Sequence, residues 1–313
     1  MAEDRIYDYV IVGTGAGGGI LAHQLAKAGL DVLSVEQGPR LPADYFTEVN
    51  PPGARKDWGI RPDMTFPGDS RDAIFRHELF ADGENRSSSR SAERSFLSYQ
   101  LMAVGGLQNL WNGVSVRFAP QDFGSWPIGY DDLAEHYGAT EELITVCGTE
   151  EGIPGLPDGH FIPPKPLRPA DRMVIDAIDR MGRPDTYVIP NRKAIETRAG
   201  RPNACISTGI CTSGCMTGAV YKFPTRLLPE IEHLPNYALR TGLKAVRLQR
   251  QAGSAEIESL LCRDTETGEE VVIRGRTFIL SAGAIETPRL LFNSRDDAAP
   301  NGLANSSGAL GRY

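Results

Sequence analysis

Asp8-Tyr-Val-Ile-Val12-Gly13-Thr-Gly15-Ala-Gly-Gly18-Gly19 is the stretch that decides the fold. Its apolar run, Asp8 to Val12, reads as a short buried strand, and the glycines that follow break it into a turn. Behind the turn, Ile20, Leu21, Leu25 and Ala26 recur at three- and four-residue steps, the spacing of one helix face, and Gly29 ends that helix. Asp31-Val-Leu-Ser-Val35 then reads as a second buried strand, with Glu36 at its end. Strand, glycine turn, helix, strand and acid stand in the order that a dinucleotide site requires. Gly13 permits the tight turn, Gly15 lacks the Cβ that would keep backbone from a pyrophosphate, and Gly18 lets the helix lie close to the strand. The helix start offers unpaired N–H groups and roughly half a positive charge to phosphates. Glu36 lies 23 residues after Gly13, the spacing of a carboxylate that accepts from a ribose hydroxyl. An acid at that place serves FAD and NAD alike, so this segment by itself leaves the cofactor open.

Composition narrows the class. The 313 residues suffice for two domains, or for one Rossmann-type domain carrying large insertions. Hydrophobic residues make up 41%, an ordinary globular proportion. A net charge of −7 and a pI near 5.4 argue against nucleic acid as a partner, which needs a basic face. No apolar run approaches the roughly 20 residues that cross a bilayer, so no transmembrane segment is expected. The acidic start enters a strand almost at once and shows no signal peptide, which makes a cytoplasmic location the default.

Two further segments join the first. Ala103-Val-Gly105-Gly106-Leu-Gln-Asn109-Leu-Trp111-Asn112-Gly113 is a second glycine-rich loop. Phe278-Ile-Leu-Ser-Ala282-Gly283-Ala-Ile-Glu-Thr-Pro288-Arg-Leu-Leu-Phe292 reads as a buried strand, a small-residue turn and a helix, with Pro288 in its first turn and Thr287 as its cap. Ser281, Ala282 and Gly283 are small enough for backbone to approach a ligand closely.

With these segments in place the sequence resembles the glucose–methanol–choline (GMC) oxidoreductases, a flavoprotein family, over essentially its whole length. Gly13 to Gly38 looks like the family's FAD fingerprint, Gly105 to Gly113 like its flavin-proximal loop, and Ser281 to Ser294 like its second signature. Arg295-Asp-Asp297 departs from the glycine-containing tail of that signature. Trp126-Pro-Ile-Gly-Tyr-Asp-Asp-Leu133 looks like the opening of the substrate region in bacterial sugar-oxidising members, and the closest pattern is that of bacterial FAD-dependent sugar and polyol dehydrogenases. The resemblance implies FAD as cofactor on an α/β, Rossmann-like FAD/NAD(P)-binding fold with an inserted partial substrate domain. It also implies that Gly105, Gly106, Asn109, Asn112, Ala282 and Gly283 lie near the flavin or the diphosphate, with backbone at Val246 near the adenine. Some sugar oxidases of the family attach FAD through a His where Leu110 stands here, so covalent attachment is not expected.

The activity implied is oxidation of a CH–OH group of a sugar or other small-molecule alcohol, with hydride passing to flavin N5. In the family the base is a His near the C-terminus, so this chain is expected to be an N-terminal portion lacking that segment. A non-catalytic FAD-binding remnant is the alternative. His23, His77, His136, His160 and His233 sit in no motif that makes any of them the base, and no catalytic residue is named. A disulfide-reductase-like flavoenzyme would want a CxxC pair and a second GxGxxG loop, and the sequence has neither.

Cys205-Ile-Ser-Thr-Gly-Ile-Cys211-Thr-Ser-Gly-Cys215 has two readings. Three thiolates suit an iron–sulfur cluster, and similar spacing occurs in the catalytic subunits of bacterial FAD-dependent sugar dehydrogenases; such a cluster would pass electrons to a partner cytochrome. The other reading is a glycine-containing loop with partly buried free thiols. Zinc suits the segment less, since a structural site has four ligands and no His lies there. Cys147 and Cys262 read as core.

The expected organisation is a discontinuous FAD domain of residues 1–40, 95–120 and 219–313. A lid-like excursion spans 41–94 and an insertion 121–218, the latter with helices at Asp131–Ile144 and Asp171–Met181. Residues 238–279 alternate as strands do, with Thr265-Glu-Thr-Gly268 as a hairpin turn.

Overall fold

The computed structural model describes residues 5–45, 100–209, 211–251 and 253–312, so the expected excursion lies outside the described residues from position 46 onward, as does His77. The chain divides into two compact units, Met1–Asn109 with Lys222–Tyr313, and Leu110–Tyr221. In chain order the strands are β1 (Ile6–Val12), β2 (Val32–Val35), β3 (Val146–Cys147), β4 (Lys193–Ala194), β5 (Tyr237–Arg240), β6 (Leu243–Arg250), β7 (Ile257–Asp264) and β8 (Glu270–Leu280). Helix α1 (Ala16–Lys27) joins β1 to β2.

The first unit is built on a six-stranded sheet of order β5-β2-β1-β8-β7-β6. β5, β2, β1 and the second half of β8 run parallel, while β6, β7 and the first half of β8 form an antiparallel meander. β1 lies between two parallel neighbours, and that is why Tyr7, Val10, Ile11 and Val12 are all buried. On one face Val10, Val12, Leu33 and Val35 share a core with Leu248, Leu260, Cys262 and Ile273 of the meander and with Leu290. α1 packs on β2 and on the short helices Phe223–Arg226 and Leu228–Ile231. Its C-terminal carbonyls are closed off by the Asn236 side chain, which donates to Ala26 O at 2.9 Å and Leu30 O at 2.7 Å. The turn at 265–268 joins β7 to β8 as expected, with Asp264 Oδ1 accepting from Glu266 N and Thr267 N at 2.9 Å each.

The last helix departs from expectation. It runs Gly283–Asn293, so Thr287 is an interior residue rather than a cap, and Pro288 lies inside the helix rather than in its first turn. The strand sets this. β8 ends at Leu280 in register with Val12, and Ser281 N donates to Val12 O at 2.8 Å, so the chain turns at once into helix.

In the second unit the expected helices form at Tyr130–Ile144 and Pro169–Arg180. Gly129 N donates to Asp132 Oδ2 at 2.7 Å at the start of the first, and proline occupies the opening turn of the second. Arg117 and Glu141 form a buried pair, with side chains 7% exposed on both sides and N–O distances of 2.8 and 2.6 Å. The guanidinium also donates to Tyr130 Oη at 2.9 Å, and the carboxylate accepts from His160 N at 2.7 Å. No helix among the described residues is long and apolar enough to cross a membrane.

Leu260 is fully buried at the centre of the shared core. Leu260→Ala is expected to destabilise the protein by about 2–5 kcal/mol, through lost burial and the cavity left behind. The midpoint of urea unfolding measures it.

Candidate functional site

β1, β2 and β8 end side by side, with Val12 opposite both Val35 and Leu280. Gly13, Glu36 and Ser281 therefore leave the sheet together at its carboxyl edge, where parallel α/β sheets bind ligands. Gly13 N donates to Val35 O at 2.8 Å, and the backbone at Gly13 is left-handed (φ +92°). A Cβ on Gly13 would stand 2.6 Å from Ser281 O, and one on Gly18 would stand 1.9 Å from Gly13 O. Strand, turn and helix are thus packed closer than any side chain allows. Gly15 is the opposite case, since a Cβ there would meet nothing within 4 Å. This open position caps α1, whose first turn has neither a side-chain cap nor an acid. The first N–H groups of α1 are left for an anion.

Glu36 stands beside this opening, 7% exposed. Its Oε2 accepts from Thr14 N at 3.1 Å and Thr14 Oγ1 at 2.7 Å, and its Oε1 accepts from Gly38 N at 3.1 Å. Burial pushes its pKa up from the ordinary range, and these donors pull it part of the way back. The Gln37 backbone N–H also acts on the carboxylate, so the protein itself surrounds Glu36 with donors.

The second glycine loop lies directly on the same place. Gly105 N donates to Thr14 Oγ1 at 3.0 Å, and Val104 N to Pro39 O at 3.0 Å. A Cβ on Gly38 would be 2.1 Å from the Met102 carbonyl carbon, and one on Gly106 would be 3.7 Å from Gly15 Cα. Asn109 braces the loop from within, its Nδ2 donating to Val104 O and Gly106 O at 2.9 Å each. Gln108 accepts from Phe223 N at 2.8 Å, which leaves its buried Nε2 without a hydrogen-bond partner among the described residues.

Gly13, Gly15, Gly18, Glu36, Gly105, Gly106 and Asn109 are thus gathered at one edge, and Ala282 and Gly283 follow Ser281 there. Val246 lies on β6 where the register slips between Ala245 and Arg247, so its backbone falls outside the regular ladder. Asn112 belongs to the second unit, where its Oδ1 accepts from Val114 N at 3.2 Å. Thr14, Gly38 and Gln108 were not singled out from the sequence. The signal for Gly38 was its place in Glu-Gln-Gly, and the signal for Thr14 was a hydroxyl between two glycines.

The iron–sulfur expectation at Cys205, Cys211 and Cys215 does not match this geometry. Among the described residues no group of three or more His, Cys, Asp or Glu side chains could hold a metal ion. The three half-buried cysteines pack instead against Ile195, Ala219, Val220 and Trp111. Cys147 and Cys262 are buried, as expected, and burial pushes Cys262 up to about 12.

An open helix N-terminus, a close-packed glycine turn and an acid at the next strand end define a dinucleotide-binding α/β protein. Comparison with known proteins places it more narrowly. Residues 192–303 match the family model described as GMC oxidoreductase, and residues 11–71 match that of an NAD(P)-binding Rossmann-like domain. It is 30% identical to paromamine 6'-oxidase of Streptomyces fradiae over 324 residues, covering 99% of this chain and 53% of that protein. It is 28% identical to the fructose dehydrogenase large subunit of Gluconobacter japonicus, covering 97% of this chain and 57% of that protein. Pyridoxine 4-oxidase from Mesorbium loti shares the fold, with a TM-score of 0.57 at 21% identity over 92% of this chain and 52% of that structure. The chain spans about half the length of the relatives it matches.

The raised pKa of Glu36 has a consequence for stability. An acid whose folded pKa lies above its unfolded value stabilises the fold below the unfolded value, and that contribution is lost as pH rises through the folded one. Unfolding free energy, followed by urea titration without added dinucleotide, is expected to fall as pH rises above the ordinary Glu36 value of 4.5. Glu36→Gln should show a smaller fall, and an equal fall in both proteins would count against the buried ionised carboxylate.

Proposed function

We propose that the protein holds FAD across the carboxyl ends of β1, β2 and β8 and belongs to an oxidoreductase acting on a CH–OH group of a sugar or other small alcohol. The observation that carries this reading is the pairing of the open Gly15 position at the start of α1 with the buried Glu36 carboxylate. The first N–H groups of α1 hold the diphosphate without a bulky side chain in the way. The Glu36 carboxylate takes a ribose hydroxyl. Gly105 and Gly106 bring loop backbone close to the same ligand, with Asn109 keeping the loop's shape and the Gln108 amide supplying a buried donor. Ala282 and Gly283 allow close approach from the β8 side, and the bulged backbone at Val246 suits the edge of an adenine. Asn112 is assigned to the flavin end of the site by resemblance.

Bound FAD supplies a two-electron acceptor for hydride. Leu110 carries no nitrogen for covalent attachment of the flavin. The substrate class is supported by the relatives, whose names refer to paromamine, fructose and 2-methyl-1,2-propanediol, all of them hydroxyl-bearing molecules. The unit containing the sheet is assigned to FAD and Leu110–Tyr221 to part of the substrate region.

Titration of the protein with FAD and, separately, with NAD tests this. FAD is expected to bind in preference to NAD, with a visible flavin spectrum. Glu36→Ala is expected to weaken FAD by about tenfold or more, as loss of a hydrogen bond to a charged group implies. Preference for NAD, or no dinucleotide bound at all, would overturn the reading.

A further inference from the structure

Thr14 occupies the one position of the glycine turn that carries a functional side chain, and it is 1% exposed. Its hydroxyl has one hydrogen to give and lone pairs to receive. The hydrogen goes to Glu36 Oε2 at 2.7 Å, and the oxygen accepts from Gly105 N at 3.0 Å. The Thr14 backbone N–H reaches the same carboxylate oxygen at 3.1 Å. One buried atom therefore joins three segments far apart in sequence: the first glycine turn, the end of β2 and the second glycine loop. The bonds polarise one another, because a hydroxyl that donates to a carboxylate becomes a better acceptor for the Gly105 amide.

We propose that Thr14 is a positioning residue that couples the ribose-binding carboxylate to the second glycine loop, so that Glu36 and residues 104–109 are ordered as one unit when a dinucleotide binds. The binding part of this statement rests on the FAD reading above; the hydroxyl tie itself does not. Side-chain volume is not what the position needs. Thr14→Val keeps the shape and removes the hydroxyl, whereas Thr14→Ser keeps the hydroxyl and removes a methyl.

Two measurements on the whole protein test it: FAD affinity by titration, and amide hydrogen exchange at Gly105 in the absence of FAD, with the Leu260 amide of β7 as control. Thr14→Val is expected to weaken FAD about tenfold and to speed exchange at Gly105 about tenfold, with Leu260 unchanged. Thr14→Ser should restore both to within about threefold of the original protein, which a loss of packing alone would not do. The penalties of Thr14→Val and Glu36→Ala on FAD binding should also be non-additive, since both remove the same bond. Should Thr14→Val not fold, Thr14→Ala is read in its place against Thr14→Ser. Unchanged FAD affinity, unchanged exchange at Gly105, or additive penalties would each overturn the proposal. If the original protein takes up no dinucleotide, the proposed function falls while Gly105 exchange still decides the tie: faster in Thr14→Val and restored in Thr14→Ser supports it, and unchanged refutes it.

Discussion

A carboxylate almost wholly withdrawn from water must find its partners where it stands, and Glu36 finds them in Thr14 N, Thr14 Oγ1, Gly38 N and the Gln37 backbone. Much of the first unit follows from this arrangement. β2 must end level with β1 for Thr14 to reach the acid, and the parallel register of Val12 with Val35 delivers that. Position 38 must be glycine, because the second loop crosses it too closely for any Cβ. The loop in turn reaches the acid through the hydroxyl that Gly105 touches.

The burial of Glu36 works against folding and for binding. Desolvation disfavours the ionised form, yet the ionised form accepts a hydroxyl most strongly. The buried Nε2 of Gln108 is a donor left over in the neighbouring loop, and the uncapped start of α1 is a second group left over. A donor and a helix N-terminus left incomplete in one unit share one physical reading, a polar ligand that completes them.

The parts of the molecule legible in the sequence were those governed by local rules. Gly13 and Gly18 stand at fixed offsets because backbone must meet backbone there, and Gly15 leaves the helix start open, so turn, α1 and β2 could be read directly. The hairpin turn at 265–268 and the helix Tyr130–Ile144 followed from turn chemistry and apolar period for the same reason. What could not be read depends on neighbours distant in sequence. The start of the last helix was misplaced because β8 must stop level with Val12, a constraint invisible in Thr287 and Pro288 themselves. The cysteine spacing suggested ligands, but what the three side chains pack against, Ile195, Ala219 and Val220, is not visible in the spacing. Thr14 passed unremarked because its two partners lie 22 and 91 residues away.

Diffraction from crystals grown with FAD tests the central claim most directly. The account predicts the diphosphate over the backbone amides of Ala16 to Gly18, and a ribose hydroxyl within hydrogen-bond distance of the Glu36 carboxylate. FAD seated elsewhere in the protein, or a side chain lying over Gly15 with Glu36 turned away from any ligand, would contradict it.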